Sequence, residues 1–548
     1  MSSSSSPKNE VLMANINFIY NFIKNDNKNY IQKNDIINEL KKKGFDINYD
    51  YRLCDTKNKL FNINESTQIK NDDLFNIIGD NICLIYKIFT DNLIIPHFDK
   101  FVDNITVIYN NVKINNEGNL ANYIPFLAKQ DEEYFGISIC TIDGQICNIG
   151  DHKIKFCLQS SMKAINYALA LENNTEEEIA KRVGIEPSGV EFNALTLNKN
   201  GKPHNSLINA GAISICSLIK PLSLPAERFD YIFNKWRDLS AQGDIGYSQC
   251  VYLSEKNSAD RNHALCYFMN ENKVFKNNTN IIDVLDFYFQ CCSLLINTED
   301  LSVVAATLAN NGVNPISGKI IFSEKTVRNT LSIMLSCGMY DYSGEFAYKI
   351  GIPSKSGVGG SILTVVPGVM GCATFSPKLD DFGNSFRGLR FLELLSSNFN
   401  YHILDQKSIN PSCLQKNISI ENMINSAAIG DLNELRRLKL LNYDLTKTDY
   451  DLRSILHLSA SNGHLHIIKY LIKENIFDNI LIKDRWGNSF YDDAIRENHI
   501  EIIEFFKSVQ NQNSLSKKFD IVIDVTQNDD EEISRRETNT DTDNNNMI

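Results

Sequence analysis

Apolar positions near the N-terminus recur at three- and four-residue intervals: Ile16, Ile19, Tyr20 and Ile23, then Ile36, Ile37 and Leu40, with Asn and Lys in the gaps. That spacing is the stripe of an amphipathic helix, so residues 10–95 are expected to form a small helical domain behind a disordered, Ser-rich start at 1–9. From about 118 to 406 the texture changes: glycine becomes frequent, and strand-like runs at 134–140 and 361–366 alternate with helical stretches at 160–172 and 282–295. The mixture predicts an α+β domain. The most apolar run, 359–375, is interrupted by Pro367 and several glycines. It is too short and broken to span a bilayer and reads as a buried strand with a turn.

A repeat follows. Residues 455–460, Ile-Leu-His-Leu-Ser-Ala, lead into Asn462, Gly463, His464 and Leu465, then Ile467, Ile468 and Leu471; Phe490, Tyr491, Ala494, Asn498, His499, Ile500, Ile502, Ile503 and Phe506 echo them at an offset of 35. Ala427, Ala428, Gly430, Asp431, Leu432 and Leu435 form a weaker upstream copy. A period near 33 with a T-P-L-H-x-A-like opening is the all-α ankyrin pattern, against the alternative of unrelated helical hairpins. Residues 419–509 are therefore expected to hold three repeats, about the minimum that buries a shared core. Residues 510–548, with Asp529, Asp530, Glu531 and Glu532 in a row, are expected to be a disordered acidic tail. The apolar stretch 521–523 is the only part of that tail expected to dock.

Composition narrows the partners. In 548 residues, 55 Lys and Arg stand against 67 Asp and Glu, a net charge of −12. This argues against nucleic acid or an anionic membrane as the main partner. Thirteen cysteines lack C-x-x-C spacing, and Cys291 and Cys292 are neighbours, a usage that fits free thiols in a reducing compartment. Met1, five serines and Pro7 supply neither a hydrophobic signal core nor presequence arginines, so a cytoplasmic location is expected.

Candidate chemistry lies in two short motifs about 190 residues apart. Ser160-Ser161-Met162-Lys163 is an S-x-x-K segment and Lys355-Ser356-Gly357 a K-[ST]-G segment, two signatures of serine hydrolases of the β-lactamase and penicillin-binding class. A serine hydroxyl needs an adjacent base. Lys163, three residues on along a helix, reaches back towards Ser160. It serves as a base only if desolvation or a second cation lowers its pKa, and Lys355 is a candidate for that cation. A lone S-x-x-K is more often a helix cap followed by a solvated lysine; the ordered pair raises the odds. Ser160 at a helix N-terminus would offer its own N–H to an oxyanion, and Val358 a second one.

Further segments sharpen the resemblance: Tyr123-Ile124-Pro125, Glu186-Pro187-Ser188-Gly189, Pro203-His204-Asn205, Asn209-Ala210-Gly211-Ala212, Ser254-Glu255, Asp260-Arg261-Asn262, Asp286-Phe287-Tyr288-Phe289 and Gly338-Met339-Tyr340-Asp341. With the two motifs, in this order and spacing, the chain resembles the glutaminase family, and its layout resembles the kidney/liver type with C-terminal ankyrin repeats. The resemblance implies a β-lactamase/transpeptidase-like catalytic domain at 118–406 that hydrolyses L-glutamine to L-glutamate and ammonia, without cofactor or metal. Ser160 would be the nucleophile, Lys163 its general base, and Tyr123 and Tyr340 proton relays. Lys355 would sit charged or hydrogen-bonded near the site and Val358 would supply an oxyanion N–H. Glu255 would hold the substrate ammonium, and Asn209, Asn262 and Tyr288 its carboxylate. Read singly, Asn209 is a turn residue, Glu255 a solvated helix acid, Tyr288 core and Tyr340 a loop anchor; the joint pattern overturns this. The resemblance also implies a homotetramer and a protein partner for the ankyrin repeats, with no membrane insertion. The family includes mitochondrial members, but their long presequence is not seen here, so a mitochondrial location is not carried over from the resemblance.

Two departures and two competitors remain. The loop 192–197 has Ala194 and Thr196 where vertebrate members carry a lysine and a second phenylalanine, which puts phosphate activation in doubt. A scaffold with an inactive hydrolase domain would lack part of the set Ser160, Lys163, Tyr340 and Lys355, and all four are present. A β-lactamase or peptidase would carry an S-D-N-like or Y-x-N segment and no ankyrin array.

Overall fold

The computed structural model describes residues 7–24, 30–90, 92–405, 420–440, 443–477 and 479–513. The tail from 514, with its 521–523 stretch, and the first six residues lie outside them. The chain divides into two compact units, 1–416 and 417–548.

The first unit opens with the helices Pro7–Ile23, Lys33–Lys42, Cys54–Phe61, Asn71–Ile78 and Ile82–Phe89. The described part of the first helix includes residues 7–9 of the stretch expected to be disordered. Ile16, Ile19, Tyr20, Ile23, Ile36 and Leu40 are buried in one core with Leu53, Leu60 and Leu74. Between the helix pairs, Ile31 and Ile69 form an antiparallel bridge, with N–H···O distances of 3.2 and 2.8 Å.

The middle region is built on five strands: β1 Gly136–Thr141, β2 Ile146–Gly150, β3 Ser354–Gly357, β4 Ser361–Val366 and β5 Met370–Phe375. Their spatial order is β2-β1-β5-β4-β3, antiparallel throughout. The broken run 359–375 is thus a hairpin of two strands, β4 and β5. Side chains alternate along β4: Ile362 and Val366 join one core and Leu363 and Val365 another, the pattern of a sheet covered on both faces. Helices Phe98–Lys113 and Phe386–Phe399 cover the first face through Phe101, Ile105, Phe391 and Leu395.

The second face packs on a largely helical layer. It contains α1 Met162–Asn173, α2 Asn209–Cys216, α3 Gln249–Asn257, α4 Asp260–Glu271, α5 Ile281–Cys292 and α6 Thr298–Ala309. Every residue of α6 is buried, and it lies so close to β5 that a Cβ on Gly371 would fall 2.1 Å from the Ala306 nitrogen. Glycine there lets helix and sheet backbones meet. The helix expected over 282–295 ends at Cys292. Residues Leu294–Ile296 instead form a strand, paired on one side with Phe156–Cys157 and on the other with Gly246–Tyr247.

The second unit contains three helix pairs: Ile420–Ile429 with Leu432–Leu440, Ile455–Ser461 with Leu465–Lys473, and Phe490–Arg496 with Ile500–Asn513. Ala427, Leu435, Leu456, Ala460, Ile468, Leu471, Ala494 and Phe506 share one core. Histidines tie the repeats together: His464 Nε2 lies 2.9 Å from the Ala428 carbonyl and His499 Nε2 3.0 Å from that of Ser461. The last helix runs past position 509, the end suggested by the repeat. Periodicity marks which residues face the core and leaves the final turn of a helix open.

Candidate active site

Ser160 sits in a single 3-10 turn, Gln159–Ser161, between the short strand Phe156–Cys157 and α1. Gln159 adopts φ 47°, a conformation non-glycine residues hold only where their surroundings enforce it. Part of that enforcement is a hydrogen bond of 2.9 Å between the hydroxyls of Ser161 and Ser361 on β4. Lys163 follows three residues after Ser160, in the first turn of α1.

Three sets of contacts surround this turn. In the first, Lys163 is 1% exposed and donates from Nζ to Asn209 Oδ1 at 2.6 Å. The same oxygen receives the Tyr288 hydroxyl at 3.5 Å, and Asn209 Nδ2 donates to Asn262 Oδ1 at 3.0 Å. Asn209 opens α2, Asn262 lies on α4 and Tyr288 on α5. Burial pushes Lys163 down to about 8. Dehydration, rather than a second cation, is its leading cause.

In the second set, Glu255 on α3 accepts at Oε1 from the Tyr123 hydroxyl at 2.8 Å and from Gln159 Nε2 at 2.9 Å. Burial raises the Glu255 carboxyl; these two donors and the Lys163 charge oppose the rise. Tyr123 keeps 47% of its surface exposed while its hydroxyl reaches inward.

In the third, Lys355 on β3 is fully buried. Its Nζ donates to the carbonyls of Gly338 at 3.1 Å and Ser356 at 2.5 Å and lies 4.5 Å from the Tyr340 ring centroid. Burial, and then the Lys163 charge, holds this amine well below the ordinary lysine value. Tyr340 adopts φ 54°. Burial raises its phenol, while the neighbouring Ser160 hydroxyl and Val358 N–H pull the other way. The Tyr340 oxygen is buried without a partner at hydrogen-bonding geometry, so its approach to Ser160 is looser than a hydrogen bond.

All ten residues singled out from the sequence thus fall on this cluster, supplied by segments from Tyr123 to Val358. Two more join them. Gln159 was passed over because its neighbour Ser160 carried the motif and its left-handed backbone has no sequence signature. Phe192, in the 187–197 loop, packs on Tyr340 at 4.9 Å between centroids and lies with its centroid 6.0 Å from Lys163 Nζ. The arrangement offers a buried hydroxyl, two dehydrated amines, a carboxylate and several amides. Such a set could take an acyl group from a small zwitterionic amide.

Comparison with known proteins agrees. The glutaminase family profile matches residues 118–404, an ankyrin profile of three copies matches 423–515, and an EF-hand profile matches 16–96. The rat (Rattus norvegicus) liver-isoform mitochondrial glutaminase is 41% identical over 448 residues, covering 80% of this chain and 74% of the relative. A putative glutaminase 3 of Caenorhabditis elegans is 40% identical over 80% of this chain and 76% of its own. A solved structure of a probable glutaminase, ybaS, superposes with TM-score 0.54 at 35% identity, over 56% of this chain and 99% of its own.

The EF-hand profile implies calcium, and the residues present do not fit it. Asp46, Asn48 and Asp50 have the spacing that opens a calcium loop, but Tyr51 stands where its turn needs glycine and Lys57 where a bidentate glutamate would close it; Arg52 takes the Asp50 carboxylate at 2.9 and 2.6 Å, and among the described residues no three acidic, His or Cys side chains converge on one point. Asp35 and Asp73 cap helices instead, accepting from the backbone N–H of Gln32 at 2.8 Å and of Lys70 at 3.2 Å. A profile spanning over half the chain, relatives matched over most of their length and a buried Ser-Lys pair within the matched region lead to one assignment: the chain belongs to the glutaminase family, amidohydrolases acting on glutamine.

Proposed function

We propose that glutamine hydrolysis runs through a γ-glutamyl ester of Ser160. Ser160 Oγ attacks the side-chain amide carbon as its proton passes to Lys163 Nζ. The carbon–nitrogen bond then breaks, the amide nitrogen takes that proton and leaves as ammonia, and water cleaves the ester to release glutamate. The backbone N–H groups of Ser160 and Val358 receive the oxyanion in both steps. Tyr340 and Tyr123 relay protons to the leaving nitrogen and from the deacylating water, and Lys355 holds the Tyr340 segment through its carbonyl contacts. The observation carrying this reading is a dehydrated lysine, lowered to about 8, one turn after the serine.

Hydroxylamine added during turnover is expected to intercept the ester and yield γ-glutamyl hydroxamate at the expense of glutamate. A reaction that forms glutamate alone at saturating hydroxylamine would exclude the acyl-enzyme.

Glu255 is the group for the substrate ammonium, with Asn209, Asn262 and Tyr288 donating to its carboxylate. Removing one partner of a buried charge pair costs about 2–5 kcal/mol. Glu255→Gln is therefore expected to raise KM for glutamine by about thirtyfold or more. An unchanged KM in steady-state assays would remove Glu255 from that role.

The active form is a homotetramer in this reading, and light scattering of the purified chain, with and without phosphate, is expected to give about four chain masses. A monomer under both conditions would end it. The ankyrin unit supplies a surface for a protein partner. The described cysteines are all free, which supports a reducing compartment and, in this reading, the cytoplasm; the named liver relatives are mitochondrial. Among the described residues no helix is long and apolar enough to cross a membrane. Imaging of the tagged full chain decides between the two compartments.

A further inference from the structure

Asn205 lies outside the substrate-facing set, yet it touches the supports of two of its walls. It is 1% exposed. Its Oδ1 accepts the backbone N–H groups of Leu207 at 2.9 Å and Ile208 at 3.1 Å, an Asx turn that sets the start of α2 and hence Asn209. Its Nδ2 donates to the Glu186 carbonyl at 3.0 Å, at the root of the loop that carries Phe192. The same turn grips that root by backbone bonds, Gly184 N–H to the Pro203 carbonyl at 2.8 Å and Glu186 N–H to the His204 carbonyl at 3.1 Å. The far side of the loop returns to α2, where the Asn209 N–H donates to the Phe192 carbonyl at 3.0 Å. A Cβ on Gly211 would lie 1.7 Å from the Asn205 carbonyl oxygen, so the turn sits directly on α2.

We infer that Asn205 is a positioning residue that sets two separate parts of the reaction, the carboxylate pocket through α2 and the Phe192–Tyr340 contact through the loop. Its two arms point to different kinetic constants. The acceptor arm holds Asn209, which in the proposed site binds substrate. The donor arm holds the loop whose Phe192 lies against Tyr340 and beside Lys163, which in that site act on bound substrate. The inference rests on the proposed roles of Asn209, Lys163 and Tyr340.

Two substitutions separate the arms. Asn205→Asp keeps the acceptor and loses the donor to Glu186; Asn205→Ala loses both. Asn205→Asp is expected to lower kcat about tenfold, the size of one buried hydrogen bond, with KM within about threefold of the parent. Asn205→Ala is expected to lower kcat similarly and also raise KM about tenfold. Phe192→Ala should reproduce the kcat loss alone. Steady-state kinetics on full-length chains, with melting temperatures alongside, read all three. Equal kinetics in both Asn205 variants and the parent would overturn the inference. So would a loss of activity that follows the folded fraction, with kcat and KM moving alike in both variants. An Asn209→Ala control separates the two levels: if its KM is unchanged, the site reading itself fails.

Discussion

Ser160→Ala is expected to lower glutamine hydrolysis by about 10⁴-fold or more, about 5.5 kcal/mol of transition-state stabilisation. The side chain is small and buried, and the turn around it is held by Gln159 and by the Ser161–Ser361 pair. Deleting one oxygen should therefore leave the fold and the pocket in place. What disappears is the atom that would carry the acyl group, and no described hydroxyl is placed to replace it one turn before a dehydrated lysine. Glutamine binding, measured by calorimetry on the inert variant, should persist near the parent affinity because Glu255 and Asn209 are untouched. Ammonia release above about 1% of the parent rate would exclude Ser160 as the nucleophile.

The pH dependence of the parent enzyme is the second large effect. Only a neutral amine accepts the Ser160 proton, so activity should rise with pH and level off above the pKa of the base. Burial lowers Lys163 from 10.5 to about 8, so at pH 7 about a tenth is neutral, against about three in ten thousand for an exposed lysine. That difference of more than two orders of magnitude is what makes a lysine usable here. The kcat/KM profile is expected to climb through an apparent pKa near 8. Lys163→Met should cost about 10³-fold and flatten the climb. If the climb survives in Lys163→Met, the titrating base is elsewhere, and Lys355, also pushed down by burial, would take the role.

Much of this site was legible in the chain because its chemistry depends on residue types in a fixed order. The S-x-x-K and K-S-G motifs point to a serine hydrolase, and the segments between them carry the resemblance to glutaminases. Gln159 and Tyr340 show the limit. Both hold a left-handed backbone, φ 47° and 54°, which no local preference favours in a non-glycine residue; packing against distant strands maintains it. The stretch 282–295 shows the same limit in secondary structure. Its apolar run suits a buried helix or a strand equally, and only the arrival of Phe156–Cys157 and Gly246–Tyr247 as partners turns Leu294–Ile296 into a strand. The N-terminal helices were readable as helices, whereas their pairing through Ile31 and Ile69 was not, since a single long-range bridge leaves no periodic trace.

By itself, then, the sequence determined the helical stripe, the mixed middle domain, the repeat near 33 residues and the identities of the candidate groups, all of which are local properties of spacing and side-chain type. Tertiary structure alone decided how those groups are surrounded. A lysine becomes a base only when it is stripped of water, and the walls that strip Lys163 come from Asn209, Tyr288 and the Phe192 loop. The turn carrying Ser160 is held by Ser361, 200 residues after Ser161. Dehydration and close approach of that kind arise between segments far apart in the chain, and no pattern along the chain specifies them.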